Sequence, residues 1–533
     1  MAIRINGLAS GLDTDSIVQE LVKAYSTKKE KYEKSQTKLE WKMDAWKTMN
    51  SKIYGFYTSS LSNMRMSNAY GMKTSSVSNS DVAKVTASSS AVNGTQSLKV
   101  KELAASGYMT GGTVKKTNGN KVTGDTNLSE LGIKAGSKLQ VNNKEITISS
   151  DMTVNKLIGN LKDAGVSASF DEKNQRLFVN SSKSGLEGEF TITANNAEGL
   201  SALQNLGLFT VYDIDGKETA EMAKYRKLAV NGTGEQQQIA ATIVSNATAY
   251  QSDAARITAK DSEIELNGAK FTSSTGTFSI NGLSITAMQV TGDQAVSITT
   301  ATDTKGIYDK IKGFIGKYNE LIKEMDTAYN AASAGKYEPL TDEEKESMTD
   351  KQIEKWEDKI KDSLLRRDTT LGNASSSMKS IMNTSFEIDG KKYSLATFGI
   401  ATQGYFTASE NERGCLHIAG DPDDSTTSGQ SDKLMAAINE NPEVVEKFFQ
   451  KLSTKLYDDL TKRMASSSLS SIYTIYNDKQ MSSEYSDYKD KVKSWQEKLD
   501  YYEEFYFKKF SKMEKALSQL QSSTSSLTNL FGN

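Results

Sequence analysis

Residues 485–531 read YSDYKDKVKSWQEKLDYYEEFYFKKFSKMEKALSQLQSSTSSLTNLF. Within them Tyr485, Val492, Leu499, Tyr506, Met513, Leu520 and Leu527 recur every seven residues. Their companions three residues on are Tyr488, Trp495, Tyr502, Lys509, Ala516, Ser523 and Leu530. A 3-4-3-4 alternation places one narrow stripe along a helix, the pattern of a seam that meets a partner helix. The first half also carries Tyr501, Phe505, Phe507 and Phe510, more aromatic surface than one seam can cover. From Gln519 onward the chain turns Ser/Thr-rich, with Leu520, Leu527, Leu530 and Phe531 still in phase. Such a segment is a weak helix former, expected to order only against a partner.

The opposite end of the chain carries a matching series. Val18, Tyr25, Tyr32, Leu39, Trp46 and Ile53 are also spaced by sevens. Leu21, Met49 and Phe56 fill some companion positions, whereas Lys28, Ser35 and Lys42 leave others polar. Ser16 with Gln19 reads as a capping box, and Asp13 and Asp15 sit where a helix N-terminus favours negative charge. No proline interrupts residues 16 to 64, so one helix of roughly 70 Å is expected. Before it, the glycine-punctuated segment holding Leu8 and Leu12 reads as a loop, with Ile17 in the first turn. Together these apolar positions at both ends are the candidate assembly interface.

Composition narrows the remaining classes. The 533 residues include 37% hydrophobic and 25% charged side chains, with a net charge of −2, enough for several modest cores. That charge lacks the basic footprint of a nucleic-acid binder. No run approaches the ~18 apolar residues of a membrane span, so no membrane insertion is expected. The first residues show no basic segment followed by an apolar stretch, and no cleavable signal peptide is expected. One cysteine, Cys415, allows no internal disulfide, and one histidine, His417, excludes sites needing two imidazoles. Their spacing suits a strand face better than a zinc site. Three prolines in the whole chain permit long helices.

Between the ends the texture becomes strand-like. Val82–Thr86 and Gln96–Val100 alternate with period two. Asn142-Asn143, Asn267-Gly268 and Asn281-Gly282 sit between alternating runs and carry tight-hairpin chemistry, because such turns demand positive φ. A short helix is expected from Val154 to Ala164. Helical texture returns at Ile307, where Ile311, Phe314, Ile315, Tyr318, Leu321, Ile322 and Met325 trace one face. A charged run, 341–350, leads to a further amphipathic segment through Ile353, Trp356, Ile360 and Leu364, and another helix is expected within 439–456. Neither that acidic run nor Asp421-Pro-Asp-Asp424 has calcium-loop spacing. No phosphate loop, His-Glu-x-x-His pair or Gly-x-Ser-x-Gly elbow is present. No catalytic, cofactor or metal site is therefore expected, and the chain reads as an assembly protein.

The expected fold is α+β and multidomain, with long N- and C-terminal coiled-coil helices forming a leg and strand-rich head domains inserted between them. The expected boundaries are an N-terminal leg, 1–67; a strand-rich head, 68–110 with 240–303; and a variable inserted head, 111–239. A helical domain, 304–475, with a short strand region near 386–420, then precedes a C-terminal leg, 476–533.

Several stretches also resemble one family. Ile5-Asn-Gly-Leu-Ala-Ser-Gly-Leu-Asp-Thr-Asp-Ser-Ile-Val18 resembles the entry signature of the flagellar filament cap family, also called hook-associated protein 2. Val77–Ser88 and Val100–Ala105 resemble its N-terminal domain. Lys310–Ile322 with its Tyr318-Asn319 pair, Leu395–Ile400 and Asn441–Phe448 resemble its C-terminal domain. The resemblance is weakest from about 180 to 250. It implies a protein exported unfolded through the flagellar channel to the extracellular filament tip. There it would form a ring-shaped homo-oligomer, a pentamer by that resemblance, which retains flagellin and promotes its folding and polymerisation. It further implies contact with hook–filament junction proteins and an export chaperone. The alternatives are a secreted adhesin or another axial, junction-type component.

Overall fold

The computed structural model describes residues 10–531 except 293 and 405, with side chains described up to 527. Contacts divide the chain into two compact units. One comprises the chain up to Tyr70 together with Thr304 onward, and the other Gly71–Asp303.

In the first unit α1 spans Thr14–Phe56. Its cap is Asp13, whose carboxylate accepts from Ser16 N at 3.1 Å and Ser16 Oγ at 2.6 Å. The expected Ser16–Gln19 box is thus corrected: the helix begins earlier, and Ser16 serves as donor to the true cap. After Phe56 the chain continues as a π-turn, Tyr57–Leu61, and a last helical turn, Ser62–Met64. One π-turn inserts an extra residue, so the buried positions pass from the heptad row to Tyr57, Leu61 and Met64.

Five further helices build the rest of the core: α2 (Thr304–Tyr329), α3 (Asp350–Lys361), α4 (Thr369–Met382), α5 (Lys433–Glu440) and α6 (Pro442–Arg463). The expected face of α2 is buried from Ile307 to Met325, and Phe314 stacks at 5.8 Å on Phe56. α6 starts on an Asn441 cap with Pro442 in its first turn and buries Val444, Val445, Phe448, Phe449 and Leu452. α3 stops at Lys361, short of Leu364, which is buried in the following turns. The acidic run holds a one-turn helix, Asp342–Glu346, whose Glu344 pairs with Lys34 of α1 at 2.9 Å. Two short hairpins pair Phe386–Ile388 with Lys391–Tyr393 and Ile400–Thr402 with Leu416–Ile418. Cys415 is buried just before the last strand, and His417 Nδ1 lies 2.6 Å from Asp424 Oδ2. The final helix, α7, runs from Asp478 to Phe531. It includes the Ser/Thr-rich stretch expected to need a partner: extension from a formed helix carries no nucleation cost.

The second unit is strand-rich. An antiparallel five-stranded sheet has the order 73–77, 296–302, 94–102, 262–266, 269–273, and a three-stranded sheet the order 277–280, 283–287, 83–87. Leu98, Val100, Ile264, Phe278, Ile285 and Ile298 fill the core they share. Asn142, Asn267 and Asn281 take φ of 53°, 51° and 45°, the left-handed turns their sequence contexts demand. The inserted part extends past the expected 111–239 at both ends, because strand 255–257 pairs with 108–113. It adds a four-stranded sheet (255–257, 108–113, 176–181, 166–171), a three-stranded sheet (144–147, 138–141, 192–194) and the expected helix at Val154–Asp163. Period-two reading did not foresee the helices Ala197–Asn205, Ala220–Asn231 and Gly234–Ser245.

Arg256 is buried in this inserted part, 1% exposed. It pairs with Glu189, donates to Phe190 O at 2.8 Å and lies over the Phe190 ring. Glu221, 3% exposed, sits 3.6 Å from its Nε. Burial pushes the Glu221 carboxyl pKa up, against the opposing field of Arg256.

Candidate assembly interface

α1 and α7 pack antiparallel, and their side chains form a ladder of aromatic contacts. At one end Ser10 donates from its backbone and hydroxyl to the Glu514 carboxylate. Tyr25 stacks on Tyr502 at 4.4 Å and 17°. Its hydroxyl is hydrogen-bonded to Tyr506, which raises the Tyr25 pKa. Tyr32 meets Tyr488 at 6.5 Å, with Lys491 Nζ 5.8 Å and 5.3 Å from the two rings. Trp46 stacks on Tyr476 at 5.2 Å and 9°, and Tyr54 tilts against Tyr473 at 5.4 Å. Rings separated this way attract through offset stacking as well as apolar burial.

Two kinds of residue escaped the heptad reading. Polar companion positions are used as cations: Lys28 Nζ sits 5.1 Å from the Trp495 ring, which Lys498 approaches at 4.4 Å. The partners of Trp46 and Tyr54 precede α7 in the chain, outside the seven-residue series. Aromatic density before residue 478 was the available signal.

The candidate residues separate by exposure. Val18, Trp46, Ile53 and Leu499 are buried, while Ile17, Tyr25, Tyr32, Leu39, Tyr485, Val492, Trp495, Tyr506 and Met513 are half-buried. Leu12 and Leu21 are exposed, as are Leu520 at 63% and Leu527 at 54%. Leu8 lies outside the described residues, as do the side chains of Leu530 and Phe531. Tyr501 and Phe505 stack on each other at 6.3 Å on the outer surface of α7. Leu520 and Leu527 thus continue the seam series of α7 past the Ser10–Glu514 contact as exposed apolar positions, and Tyr501 and Phe505 expose apolar surface on another face of the helix.

Among the described residues no cluster of histidine, cysteine and carboxylate side chains could hold a metal. No helix there is long and apolar enough to cross a membrane.

Family models described as flagellar hook-associated protein 2 C-terminus and N-terminus match residues 259–522 and 10–107, together more than half of the chain. The chain belongs to the flagellar hook-associated protein 2 family. A relative with that name from Halalkalibacterium halodurans is 20% identical over 99% of this chain and 100% of its own length. One from Thermotoga maritima is 24% identical over 72% of this chain, which spans about half of that protein, 53%. The solved D1–D2–D3 domains of the Escherichia coli flagellar cap protein are 18% identical, covering 79% of this chain and 96% of theirs at a TM-score of 0.48. Family membership makes the protein a structural component of the flagellar filament cap, outside any known enzyme family.

Proposed function

We propose that the α1–α7 pair is the surface by which the cap grips the filament end, and that the cap there retains exported flagellin while each subunit folds into place. The observation that carries this reading is the continuation of the α7 seam series past the Ser10–Glu514 contact as the exposed Leu520 and Leu527. Leu520 and Leu527 lie one heptad apart and uncovered, and apolar side chains so placed contribute roughly 1.5–3 kcal/mol each when a partner buries them. In this reading several copies form a closed ring at the extracellular tip, five by family resemblance. Export runs through the flagellar channel, and no reaction is catalysed.

The test is Leu520→Ala with Leu527→Ala in the full-length protein. The expected strain secretes monomeric flagellin into the medium and carries short filaments, although the purified variant keeps the wild-type melting profile. Full-length filaments with no flagellin in the medium would refute the proposal. An adhesin acting apart from assembly would show that second pattern together with lost attachment.

A further inference from the structure

A groove of 1110 Å³ runs between α1, the second half of α2 and the end of α3. Small-molecule sites hold roughly 300–1,000 Å³, so this groove has room for several side chains of a protein partner. Its floor is apolar: Ala45 and Met49 from α1, Ala328 from α2, Ala331 just after it, and Leu365 after α3. The rim is charged but already committed. Lys52 pairs with Glu324 at 2.7 Å, Lys361 with Glu357 at 3.1 Å and Glu320 with Lys317 at 2.7 Å. Lys323 pairs with Glu412, and Lys359 lies over the Tyr337 ring. Among the described residues no rim cation is left to call for an anionic ligand. The groove therefore suits an apolar, uncharged segment.

The same helical unit presents such a segment. Residues 464–477, which join α6 to α7, read MASSSLSSIYTIYN and carry no charged side chain. Leu469, Ile472 and Tyr473 stand 45%, 61% and 49% exposed there. The backbone beneath them is held firmly. Asn50 of α1 donates from its amide nitrogen to Tyr473 O at 3.1 Å and accepts from Ile475 N at 2.9 Å. Asp478 Oδ1 accepts from Ser471 N at 2.7 Å, and Tyr473 N donates to Met464 O at 2.9 Å. Tyr473 itself takes φ +63°, a left-handed conformation that a non-glycine residue keeps only where its surroundings enforce it. An apolar tip fixed in this way gives up little conformational entropy on docking.

Groove and tip flank one stretch of α1. Ala45, Met49 and Lys52 line the groove, whereas Trp46, Asn50 and Tyr54 contact the tip. By helix geometry the two rows lie at one level and about 130° apart around the axis. The tip therefore cannot enter the groove of its own chain. Two different, complementary patches at one level and on different sides are what a heterologous contact between identical copies requires, and such contacts close into rings when the rotation allows.

We propose that the groove receives the 464–477 tip of a second copy of this chain, with Leu469, Ile472 and Tyr473 entering over Ala45, Met49 and Leu365. This rests on the closed-ring reading above and names the contact that joins neighbouring copies.

Sedimentation velocity of the full-length protein tests it from both sides. Ile472→Asp charges the tip and Ala332→Trp fills the groove, each at an exposed position. Each should weaken self-association at least about tenfold, as loss of a central apolar contact does, and keep the wild-type melting profile. The Leu520→Ala, Leu527→Ala protein should keep wild-type self-association, which separates this contact from the grip on the filament. Ile472→Cys and Ser333→Cys, each combined with Cys415→Ala, should be joined by a short bismaleimide when the two proteins are mixed, and neither should be joined to itself. Wild-type self-association in both Ile472→Asp and Ala332→Trp, or no cross-link in the mixture, would overturn the contact and leave the ring reading standing. A wild-type protein that stays monomeric at every concentration would overturn both.

Discussion

At the scale of single residues, the sharpest commitments are the buried charges. Arg256 satisfies Glu189 and nearby carbonyls, whereas Glu221 Oε2 is buried with no hydrogen-bond partner. The Glu221 carboxyl is therefore easier to bury protonated, and its pKa rises on folding. The unfolded chain releases this proton near pH 4.3. Stability of the Gly71–Asp303 unit should accordingly fall as pH rises from that value toward the folded pKa. Glu221→Gln should raise the Tm of this unit at pH 8 and leave it nearly unchanged at pH 4, as read by calorimetry. A variant less stable than wild type at pH 8 would mean that attraction to Arg256 outweighs burial. None of this was legible in the sequence, because Glu189, Glu221 and Arg256 meet only through long-range folding.

Among elements, the helix pair depends on stacked rings as much as on aliphatic burial. Trp46 and Tyr476 are the case to measure, with nearly parallel planes and a buried indole. A double-mutant cycle with Trp46→Leu and Tyr476→Leu, followed by denaturant unfolding, should give a coupling of about 0.5–1.5 kcal/mol. Additive single effects would show that the rings contribute area alone. The two helices were readable because a seven-residue period survives over many turns, so that Val18 through Ile53 and Tyr485 through Leu527 stand out. The cations over the rings were not readable, since Lys28 and Lys491 look like ordinary solvated positions until a partner helix supplies Trp495 and Tyr32. The three Asn hairpins were legible because their turns demand positive φ. The hairpin at Asp389-Gly390, with φ of 51° and 79°, follows the same chemistry between strands too short to show a period. Helices such as Ala220–Asn231 were hidden for a related reason: twelve residues with only Met222, Tyr225 and one acid buried trace too faint a stripe.

On the scale of the whole molecule, the strand-rich unit enters and leaves through adjacent strands. Lys73 stands opposite Thr302, and Asp303 N–H donates to Met72 O at 2.9 Å. Its ends are thus closed by its own sheet, and its cores are formed by its own residues. The excised fragment Gly71–Asp303 should therefore fold alone and melt cooperatively; a fragment without a sigmoidal transition would show dependence on the helical unit. The helix pair has the opposite character, because Ser10 and Glu514 are 504 positions apart. On the ribosome, α1 is made first, and its aromatic stripe waits for the last stretch of chain to arrive. A protein truncated before α7 presents Tyr25, Tyr32 and Trp46 with nothing to close on, a sticky surface that proteases and chaperones can recognise. The α1–α7 closure thus works as a receipt of full-length synthesis: only a finished copy can hide its own beginning.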